Sequence, residues 1–317
     1  MNPQPFFDFI QERYRIFLKK QAGEPRPWTT DEILDYYKFT NVFREDDRTT
    51  VWFRENVRDP IRNDPAHVLL STVVFRWFNR ISTGEAHFLQ EDMFSDGQRT
   101  AFDQYRFTGS GQALHDACFK YNGPMGPHVT GAYIIKTPNG MTKLSGVCWA
   151  LEHFHRDKYP LKCFRIGEEK EHTLVVDWRN GAEIMASPYY SVTLEQAWDW
   201  LRKFSYLGDF MAYEIVTDLR FTCLLERAPD IMTWANAGPG AMRGLNRLHG
   251  RPLNFSQKKE KWNQEMHALL DISESDPKYW PFTHRPLEMR EIEHSLCEFD
   301  KYQRVDKGEG KPRGVYR

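Results

Sequence analysis

Apolar residues recur at helical spacing along most of this chain. In residues 5–20, one helical face carries Phe6, Phe9, Ile10, Tyr14, Phe17 and Leu18. Asp64-Pro65 precedes a strongly apolar stretch that we expect to be helical from Ala66 to Ile81. The same spacing predicts further helices over residues 31–37, 49–57, 193–204, 210–225, 229–236, 241–248, 256–270 and 287–304. The pattern therefore predicts a mainly α protein.

The middle of the chain interrupts this pattern. Glycines recur from Gly109 to Gly146 with prolines among them, so no helical period continues through residues 95–190. We expect short strands there, at Ala132–Lys136 and Thr173–Trp178. The organisation that we predict is an N-terminal helical part of the core at 1–94, an irregular Gly-rich insertion at 95–190, a helical part with a helix-hairpin-helix at 191–304, and a flexible basic tail at 305–317.

Composition and charge exclude few classes of partner. The chain has 317 residues, of which 40% are hydrophobic, so it is long enough to bury a large core. Its 43 Lys and Arg residues nearly balance 44 Asp and Glu residues, so DNA would need a local basic surface. The five cysteines stand singly, no segment reaches 18 uninterrupted apolar residues, and the chain does not start with a signal pattern. We expect a cytoplasmic monomer with reduced thiols and no membrane contact.

A Gly-Pro-Gly turn at residues 238–240 lies between two predicted helices, the second of which is basic. Gly238 and Gly240 let the backbone approach a ligand closely, and free N–H groups at a helix start attract an anion. Arg243 and Arg247 share one face of the second helix. The pattern is typical of a helix-hairpin-helix clamp on a DNA phosphate. The alternative is a tight turn without a ligand.

Residues 37–52 gather charges and hydroxyl groups between apolar side chains. If this segment folds inward, Asn41, Arg44, Asp47 and Arg48 form a polar cluster, because buried charges without partners are costly. Such a cluster is either paired internally, as a structural Asp–Arg pair that stabilises a turn, or filled by a ligand.

Two further sets of polar residues lie on apolar helices. Arg76 and Asn79 are one turn apart, and a planar arginine there suits either a phosphate or a buried ion pair. Glu214 and Asp218 put two carboxylates on one helical face, which is unfavourable unless a cation or a shared proton offsets the repulsion. Arg76 or Arg220 is the expected offset.

Several familiar motifs do not occur in the sequence. It has no Gly-x-x-x-x-Gly-Lys-Ser/Thr loop for a nucleoside triphosphate and no zinc-deaminase signature. His153 and His155 alternate without a further ligand, so we assign no metal site to them. The charged run from Glu291 to Arg304 indicates, taken alone, an ordinary amphipathic helix.

Four sequence blocks together resemble one family. They are Tyr-Lys-Phe-Thr-Asn-Val-Phe-Arg-x-x-Asp-Arg from residue 37, Phe-Arg-Trp-Phe-Asn-Arg from residue 75, Phe-Met-Ala-Tyr-Glu-Ile-Val-Thr-Asp-Leu-Arg from residue 210, and Glu-His-Ser-Leu-Cys-Glu-Phe-Asp-Lys-Tyr from residue 293. The chain resembles the alpha-glutamyl/putrescinyl thymine pyrophosphorylases, which are amino acid:DNA transferases, and the helical domain of the related 5-hydroxymethyluracil DNA kinases. The resemblance covers residues 30–304 and implies a helical fold similar to helix-hairpin-helix DNA glycosylases.

The resemblance implies phage DNA hypermodification in an infected bacterial cell. An amine of an amino acid or polyamine, glycine among the candidates, displaces pyrophosphate from pyrophosphorylated 5-hydroxymethyluracil in double-stranded DNA. The chemistry of a flipped base then suggests roles for named residues. Asp47, Glu214 or Asp218 is the general base; Arg44, Arg48 and Arg76 neutralise the pyrophosphate, with or without Mg²⁺; Asn41, Asn79, Tyr213 and Trp234 line the base or amine pocket; and Gly238, Gly240, Arg243 and Arg247 bind DNA phosphate.

Two other functions are compatible with the sequence. A glycosylase-like lyase would use the same flipped-base pocket, but no Asp stands about 18–20 residues beyond Gly240, where Lys258, Lys259 and Glu260 lie instead. A non-catalytic DNA-binding module would bind phosphate with the hairpin, and its acidic clusters would serve structure alone. No cofactor other than Mg²⁺ is suggested.

Overall fold

The computed structural model describes residues 1–95, 97–133, 135–158 and 192–316. Within these ranges the helices, in chain order, are α1 Gln4–Gln21, α2 Glu32–Tyr36, α3 Arg48–Phe53, α4 Pro65–Phe78, α5 Ile81–Phe88, α6 Ala101–Thr108, α7 Gln112–Asn122, α8 Lys143–Lys158, α9 Leu194–Leu201, α10 Gly208–Leu219, α11 Pro239–Leu248, α12 Lys259–Ser275 and α13 Met289–Asp306. Short 3₁₀ turns span Arg44–Asp46 and Asp59–Ile61, a π-helical turn spans Arg54–Arg58, and the strands are β1 Glu91–Phe94 and β2 Gly97–Thr100.

The prediction of a mainly α fold with a small β element is confirmed. β1 and β2 pair antiparallel, with Glu91 opposite Thr100. The strand expected at Ala132–Lys136 is wrong, because the described residues there form bends and coil and pair with no described strand. The hydroxyl group of Tyr133, in this segment, donates a hydrogen bond to the carboxylate of Glu214. The strand expected at Thr173–Trp178 lies outside the described residues.

Residues 97–158 contain more regular structure than their glycines suggest. Besides β2 they form α6, α7 and α8, and these helices bury Phe102, Tyr105 and Leu114. Gly109 ends α6 in a left-handed conformation, with φ of 73°. Glycine favours this conformation because it has no Cβ. Gly109 therefore marks the end of α6, and its presence in the sequence does not exclude a helix before it.

The chain divides into two compact units. The first comprises Met1–Asp47 and Asp230–Arg317, and the second comprises Arg48–Pro229. The first unit therefore contains α1, α2, α11, α12 and α13, and the second contains α3 to α10 together with both strands.

In the first unit, α1 packs on α13. The rings of Phe6 and Phe9 lie 5.9 and 5.7 Å from the ring of Phe299. The buried face of α1 differs slightly from the predicted one, since Arg13 is buried and Leu18 is 38% exposed. Arg13 thus lies on the face of α1 that the spacing of apolar residues predicted to be apolar.

Two glycines let α11 approach α13 closely. A Cβ atom on Gly240 would collide with Sγ of Cys297, and a Cβ atom on Gly244 would lie 2.5 Å from the carbonyl oxygen of Leu296. Packed interiors leave no room for an extra methyl group at such distances. Gly240 therefore has a packing role in this fold.

We expect Gly244→Ala to lower the free energy of unfolding by about 1–3 kcal/mol, the usual cost of overfilling a packed interface. The cost should appear even though alanine favours a helix over glycine by about 1 kcal/mol. Gly310→Ala is the matched control, because nothing lies within 4 Å of a Cβ there and its backbone is not left-handed. Urea unfolding measures both variants, and equal stability would contradict the close approach of α11 to α13.

In the second unit, α4 is strongly apolar and packs against α10. Asp64 caps its start by accepting the N–H of His67 at 3.0 Å, as the Asp-Pro pair predicted. The helix ends at Phe78 and does not reach Ile81. Asn79 stops it by adopting a left-handed backbone, with φ of 44°.

The segment before the Gly-Pro-Gly turn is not helical. The helix expected over Pro229–Asn236 is wrong, because residues 230–233 form turns and α11 starts only at Pro239. The N–H of Ala235 donates to Oδ1 of Asn263 at 3.1 Å and not to a helical carbonyl group. Gly-Pro-Gly therefore opens α11 without joining two consecutive helices.

The C-terminal tail is held against the first unit. Val315 forms an antiparallel bridge with Tyr37. The ring of Tyr316 lies 5.5 Å from that of Trp28, and the ammonium of Lys20 lies 4.8 Å from the Tyr316 ring. The sequence indicated a flexible tail from its Gly and Lys content. In the structure the tail instead contacts the first unit, because the ring of Tyr316 packs against the ring of Trp28 and the ammonium of Lys20.

Candidate functional site

One face of α13 brings polar side chains into the interior of the first unit. The imidazole of His294 is hydrogen-bonded to the hydroxyl of Thr40, with 2.7 Å between Nε2 and Oγ1. The N–H of Thr40 donates to Oε2 of Glu298 at 3.3 Å, and Lys301 donates to Oε1 of the same residue at 2.5 Å. Glu298 is only 3% exposed. Two of the sequence blocks, distant along the chain, therefore meet here.

Asp47 follows the first 3₁₀ turn and lies next to these residues. Its Oδ1 accepts the N–H of Asn41 at 2.9 Å, and the Asn41 amide donates to the carbonyl oxygen of Asp46 at 2.8 Å. Burial raises the pKa of Asp47 to about 6, against the attraction of the Arg44 charge. A carboxyl group with this pKa can release and take up a proton near neutral pH. We refer to Thr40, Asn41, Asp47, His294 and Glu298 as the α13 cluster.

His294 is held in its neutral form. Burial lowers its pKa well below the ordinary value, and the charges of Arg44, Arg13, Lys301 and Arg290 lower it further. A neutral imidazole has one donor and one acceptor nitrogen. The ring can therefore take part in directional hydrogen bonds without adding a positive charge to the cluster.

His294 and Glu298 were not among the candidate residues predicted from the sequence. The segment that contains them was interpreted as an amphipathic helix, because charged residues usually lie on a solvent-exposed face. The sequence did contain one indication. Charged residues occur on nearly every face of α13, so some of them must be buried when the apolar residues of this helix pack against the core. Buried charges need partners, and the polar block that starts at residue 37 supplies them.

Arg44, predicted to bind pyrophosphate, and Trp234, predicted to line the base or amine pocket, also lie in the first unit. The charge of Arg44 acts on both Asp47 and His294. Trp234 is 7% exposed, so little of its ring is open to a flipped base. Of the predicted polar cluster, the structure thus brings Asn41, Arg44 and Asp47 together, whereas Arg48 is exposed and belongs to the second unit.

In the second unit, a buried ion pair holds Arg76. Nη2 of Arg76 donates to Oδ1 of Asp218 at 2.7 Å, and Nε donates to Oδ2. Nη1 donates to Oδ1 of Asn79 at 3.0 Å, and Nη2 also donates to the hydroxyl of Thr50 at 3.1 Å. Arg76 and Asp218 are each 2% exposed. Of the alternatives stated for these residues, the structure contains the buried ion pair, and Arg76 offsets Asp218.

Glu214 shares a face of α10 with Asp218 but has a different partner, the hydroxyl of Tyr133. Glu214 is 2% exposed and Tyr213 is 7% exposed. Arg48, in contrast, is exposed to solvent. The predicted residues of the second unit therefore include buried, paired groups and one solvent-exposed arginine.

The start of α11 contacts carboxylates of the chain itself. The N–H of Gly238 donates to Oε1 of Glu293 at 3.2 Å. Nε of Arg243 and Nε of Arg247 donate to the two oxygens of Asp300, at 2.8 and 2.9 Å. Asp300 is 1% exposed. A DNA phosphate that bound these donors would have to displace carboxylates of α13.

The described residues contain neither a metal centre nor an activated thiol in these clusters. In residues 1–95, 97–133, 135–158 and 192–316, no three His, Cys, Asp or Glu side chains are placed to hold a metal ion. Burial raises the pKa of the Cys297 thiol to about 12, so it stays protonated at neutral pH. Across the same ranges, no helix has the length and apolar character needed to cross a membrane.

Comparison with known proteins agrees with the resemblance in the four blocks. The family model described as the helical domain of 5-hmdU DNA kinase matches residues 3–311. A 5-hmdU DNA kinase of Bacillus phage SP10 is 23% identical over an alignment that covers 94% of this chain and 44% of the relative. The chain thus spans less than half the length of that relative, and no solved structure gives a significant match. From the match over nearly its whole length, the chain belongs to the family of 5-hmdU DNA kinase helical domains.

Proposed function

We propose that this protein transfers the amine of an amino acid or polyamine to pyrophosphorylated 5-hydroxymethyluracil in double-stranded phage DNA and releases pyrophosphate. The reaction would take place in the cytoplasm of the infected cell. The family is named for an enzyme of the hydroxymethylated base, which supports this class of substrate. The observation that carries the proposal is the carboxyl group of Asp47, which has a pKa of about 6 and is held by Asn41 near Arg44.

The reaction requires removal of one proton and neutralisation of one leaving group. The amine nitrogen attacks the methylene carbon on the base, and the C–N bond forms as the C–O bond to pyrophosphate breaks. The electron pair of the C–O bond stays on the pyrophosphate oxygen, whose charge Arg44 offsets. The proton leaves the nitrogen for the carboxylate of Asp47. Mg²⁺, where required, would enter with the pyrophosphate, since it usually binds through substrate phosphates.

The other predicted residues receive secondary roles in this proposal. The hydrogen bond between His294 and Thr40 fixes the segment that carries Asp47, so we assign His294 a positioning role. Arg76 and Asp218 compensate each other and join α4 to α10, so we assign them a structural role. The pyrophosphate contact of Arg48, the pocket roles of Asn79, Tyr213 and Trp234, and the phosphate contacts of α11 stay predictions.

A second candidate function is binding of modified DNA without chemistry on this chain. The relative from Bacillus phage SP10 is a kinase and is more than twice as long as the aligned part. This sequence contains no Gly-x-x-x-x-Gly-Lys-Ser/Thr loop, so it lacks the phosphate-binding loop that a P-loop kinase uses for phosphoryl transfer. In this case the chain would present the modified base to residues that carry out phosphorylation elsewhere.

Mass spectrometry of nucleosides distinguishes the two candidates. DNA that contains pyrophosphorylated 5-hydroxymethyluracil is incubated with the protein and with separate amino acids and polyamines, and then digested. We expect a new nucleoside whose mass identifies the donor, and none in a reaction without protein. An unchanged base with every donor, in DNA that still binds, would support the second candidate. Release of free base would instead indicate a glycosylase-like lyase.

A further inference from the structure

A small pocket of the first unit adjoins the α13 cluster. It has a volume of about 290 Å³, which includes solvent space at its mouth. Its polar lining residues are Arg13, Lys20, Tyr37, Thr40, Asn41 and Tyr316, and the remaining lining residues are apolar. No acidic residue lines it. Only about 20 Å³ of it is open to the centre of a water-sized group, and a single water needs about 10–15 Å³, so the pocket has room for one small polar group.

Arg13 supplies the main charge of this pocket. It is 5% exposed, and its Nη2 donates to the carbonyl oxygen of Thr40. Among the described residues, its Nε and Nη1 have no hydrogen-bond acceptor and no carboxylate forms an ion pair with it. Glu298 and Asp47 attract its charge only from a longer distance. The guanidinium contacts the Thr40 carbonyl oxygen and the ring of Phe9, whose centre lies 5.0 Å from Cζ, but no carboxylate. A buried charge without an opposite charge in contact is destabilising by about several kcal/mol.

Lys20 provides a second cation two turns further along α1. Its Nζ lies 3.5 Å from the hydroxyl oxygen of Tyr316 and 5.3 Å from the ring centre of Trp28. No carboxylate in the described part of the chain forms an ion pair with this ammonium group. Partial burial lowers the pKa of Lys20, although the residue as a whole is exposed to solvent.

From these observations we propose that the pocket binds a small oxyanion, a carboxylate or a phosphate group, through the charge of Arg13 with Lys20 as the second cation. Tyr37 and Tyr316 also line the pocket, and their hydroxyls can act as neutral donors. Nε and Nη1 of Arg13 are buried, and the low dielectric constant of the interior screens the charge less than water does. The guanidinium therefore attracts an anion into a pocket that contains no competing acid.

The pocket is continuous with the residues proposed for transfer. Asn41 lines it with its neighbour Thr40, and the N–H of Asn41 donates to Asp47. The proposed reaction involves two oxyanions of this chemistry: the carboxylate of an amino acid donor and the displaced pyrophosphate. The oxyanion site itself does not depend on transfer, because its binding is measured without DNA.

Isothermal titration calorimetry at low ionic strength tests this proposal. Glycine, inorganic phosphate, pyrophosphate and putrescine are titrated separately into the full-length protein and into Arg13→Met. We expect at least one oxyanion to bind the wild-type protein and to bind Arg13→Met at least tenfold more weakly. Putrescine, which has no oxyanion, should not bind in this way. Arg15→Met is the matched control, because Arg15 lies on the same helix with a 45% exposed side chain, and it should bind as the wild type does.

The melting temperature separates an anion site from a purely structural arginine. Methionine replaces a buried, unpaired charge by an apolar chain of similar length, so Arg13→Met should melt at least as high as the wild type. If it melts lower, Arg13→Lys is the second variant, and restored binding there supports the oxyanion site while continued loss overturns it.

The pattern of binding identifies the source of the anion. Glycine binding alone supports a donor carboxylate, and binding of phosphate or pyrophosphate supports a phosphate group. The proposal is overturned if none of the three oxyanions binds the wild type, or if Arg13→Met binds them equally well. A protein that transfers amine but binds no oxyanion would refute the pocket and keep the proposed function.

Discussion

Asp218→Asn is expected to lower the free energy of unfolding by about 3–5 kcal/mol, the usual loss when one partner of a buried ion pair is removed. The substitution keeps the shape of the side chain but leaves the guanidinium of Arg76, which is 2% exposed, without its negative partner. Domains are stable by only about 5–15 kcal/mol, so this loss is large. Urea unfolding followed by circular dichroism gives the size of the change from the shift in midpoint.

An exposed ion pair of the same unit provides the control. Nη2 of Arg62 lies 2.7 Å from Oε2 of Glu226, and both side chains are partly exposed. Glu226→Gln should change stability by less than about 1 kcal/mol. The double variant Arg76→Met with Asp218→Leu should recover most of the loss, because it removes both buried charges. If Asp218→Asn changed stability no more than Glu226→Gln does, the pair would not stabilise the fold, and Asp218 would return as a candidate base.

Asp47→Asn is expected to lower the rate of amine transfer by about 10²- to 10⁴-fold, the usual contribution of a general base. Asparagine can still accept the N–H of Asn41 but cannot accept a proton from the amine. Quantitative mass spectrometry of the product nucleoside measures the rate, and DNA binding is measured in parallel. Asp8→Asn, an exposed position of α1, is the matched control and should leave the rate unchanged. A full rate in Asp47→Asn would remove Asp47 from the mechanism.

The pH dependence of transfer gives a second test of Asp47. The base acts when it is deprotonated, and its pKa is raised from 3.8 to about 6. The wild-type rate should therefore rise through about pH 6, and this break should be missing from Asp47→Asn. Titration of the donor amine affects both proteins equally, so the difference between them isolates the carboxyl group. A wild-type profile without a break near pH 6 would contradict the assignment.

The same pKa shift predicts that Asp47→Asn does not act by unfolding the protein. Between pH 3.8 and about 6 the folded state holds the proton of Asp47 more tightly than the unfolded state. Stability from this group is therefore present at low pH and is lost as the pH rises through that window. At pH 7 the wild type bears an ionised, partly buried carboxylate, whereas asparagine is neutral. Asp47→Asn should thus be at least as stable as the wild type at neutral pH.

Part of the α13 cluster could be predicted from the sequence, and part could not. Asn41, Arg44 and Asp47 lie within seven residues, so their density alone indicated a polar cluster. His294 and Glu298 reach the same cluster from the other end of the chain, through contacts with Thr40. The burial of Arg13 on α1 was also not predicted from the sequence. A local pattern does not record which distant residue will supply a partner.

The class of fold and most helix starts follow from neighbouring residues. Asp64 and Thr193 cap helices through bonds to residues three positions ahead, and apolar spacing selects the buried face, so these features can be determined from the sequence. Only the tertiary structure decided which charges are compensated: Asp218 pairs with Arg76, and Asp300 with Arg247. Coulomb attraction and desolvation depend on distances in space, and packing brings together residues that the sequence separates. It also decided that Arg13 is buried without such a partner among the described residues, which a sequence cannot reveal.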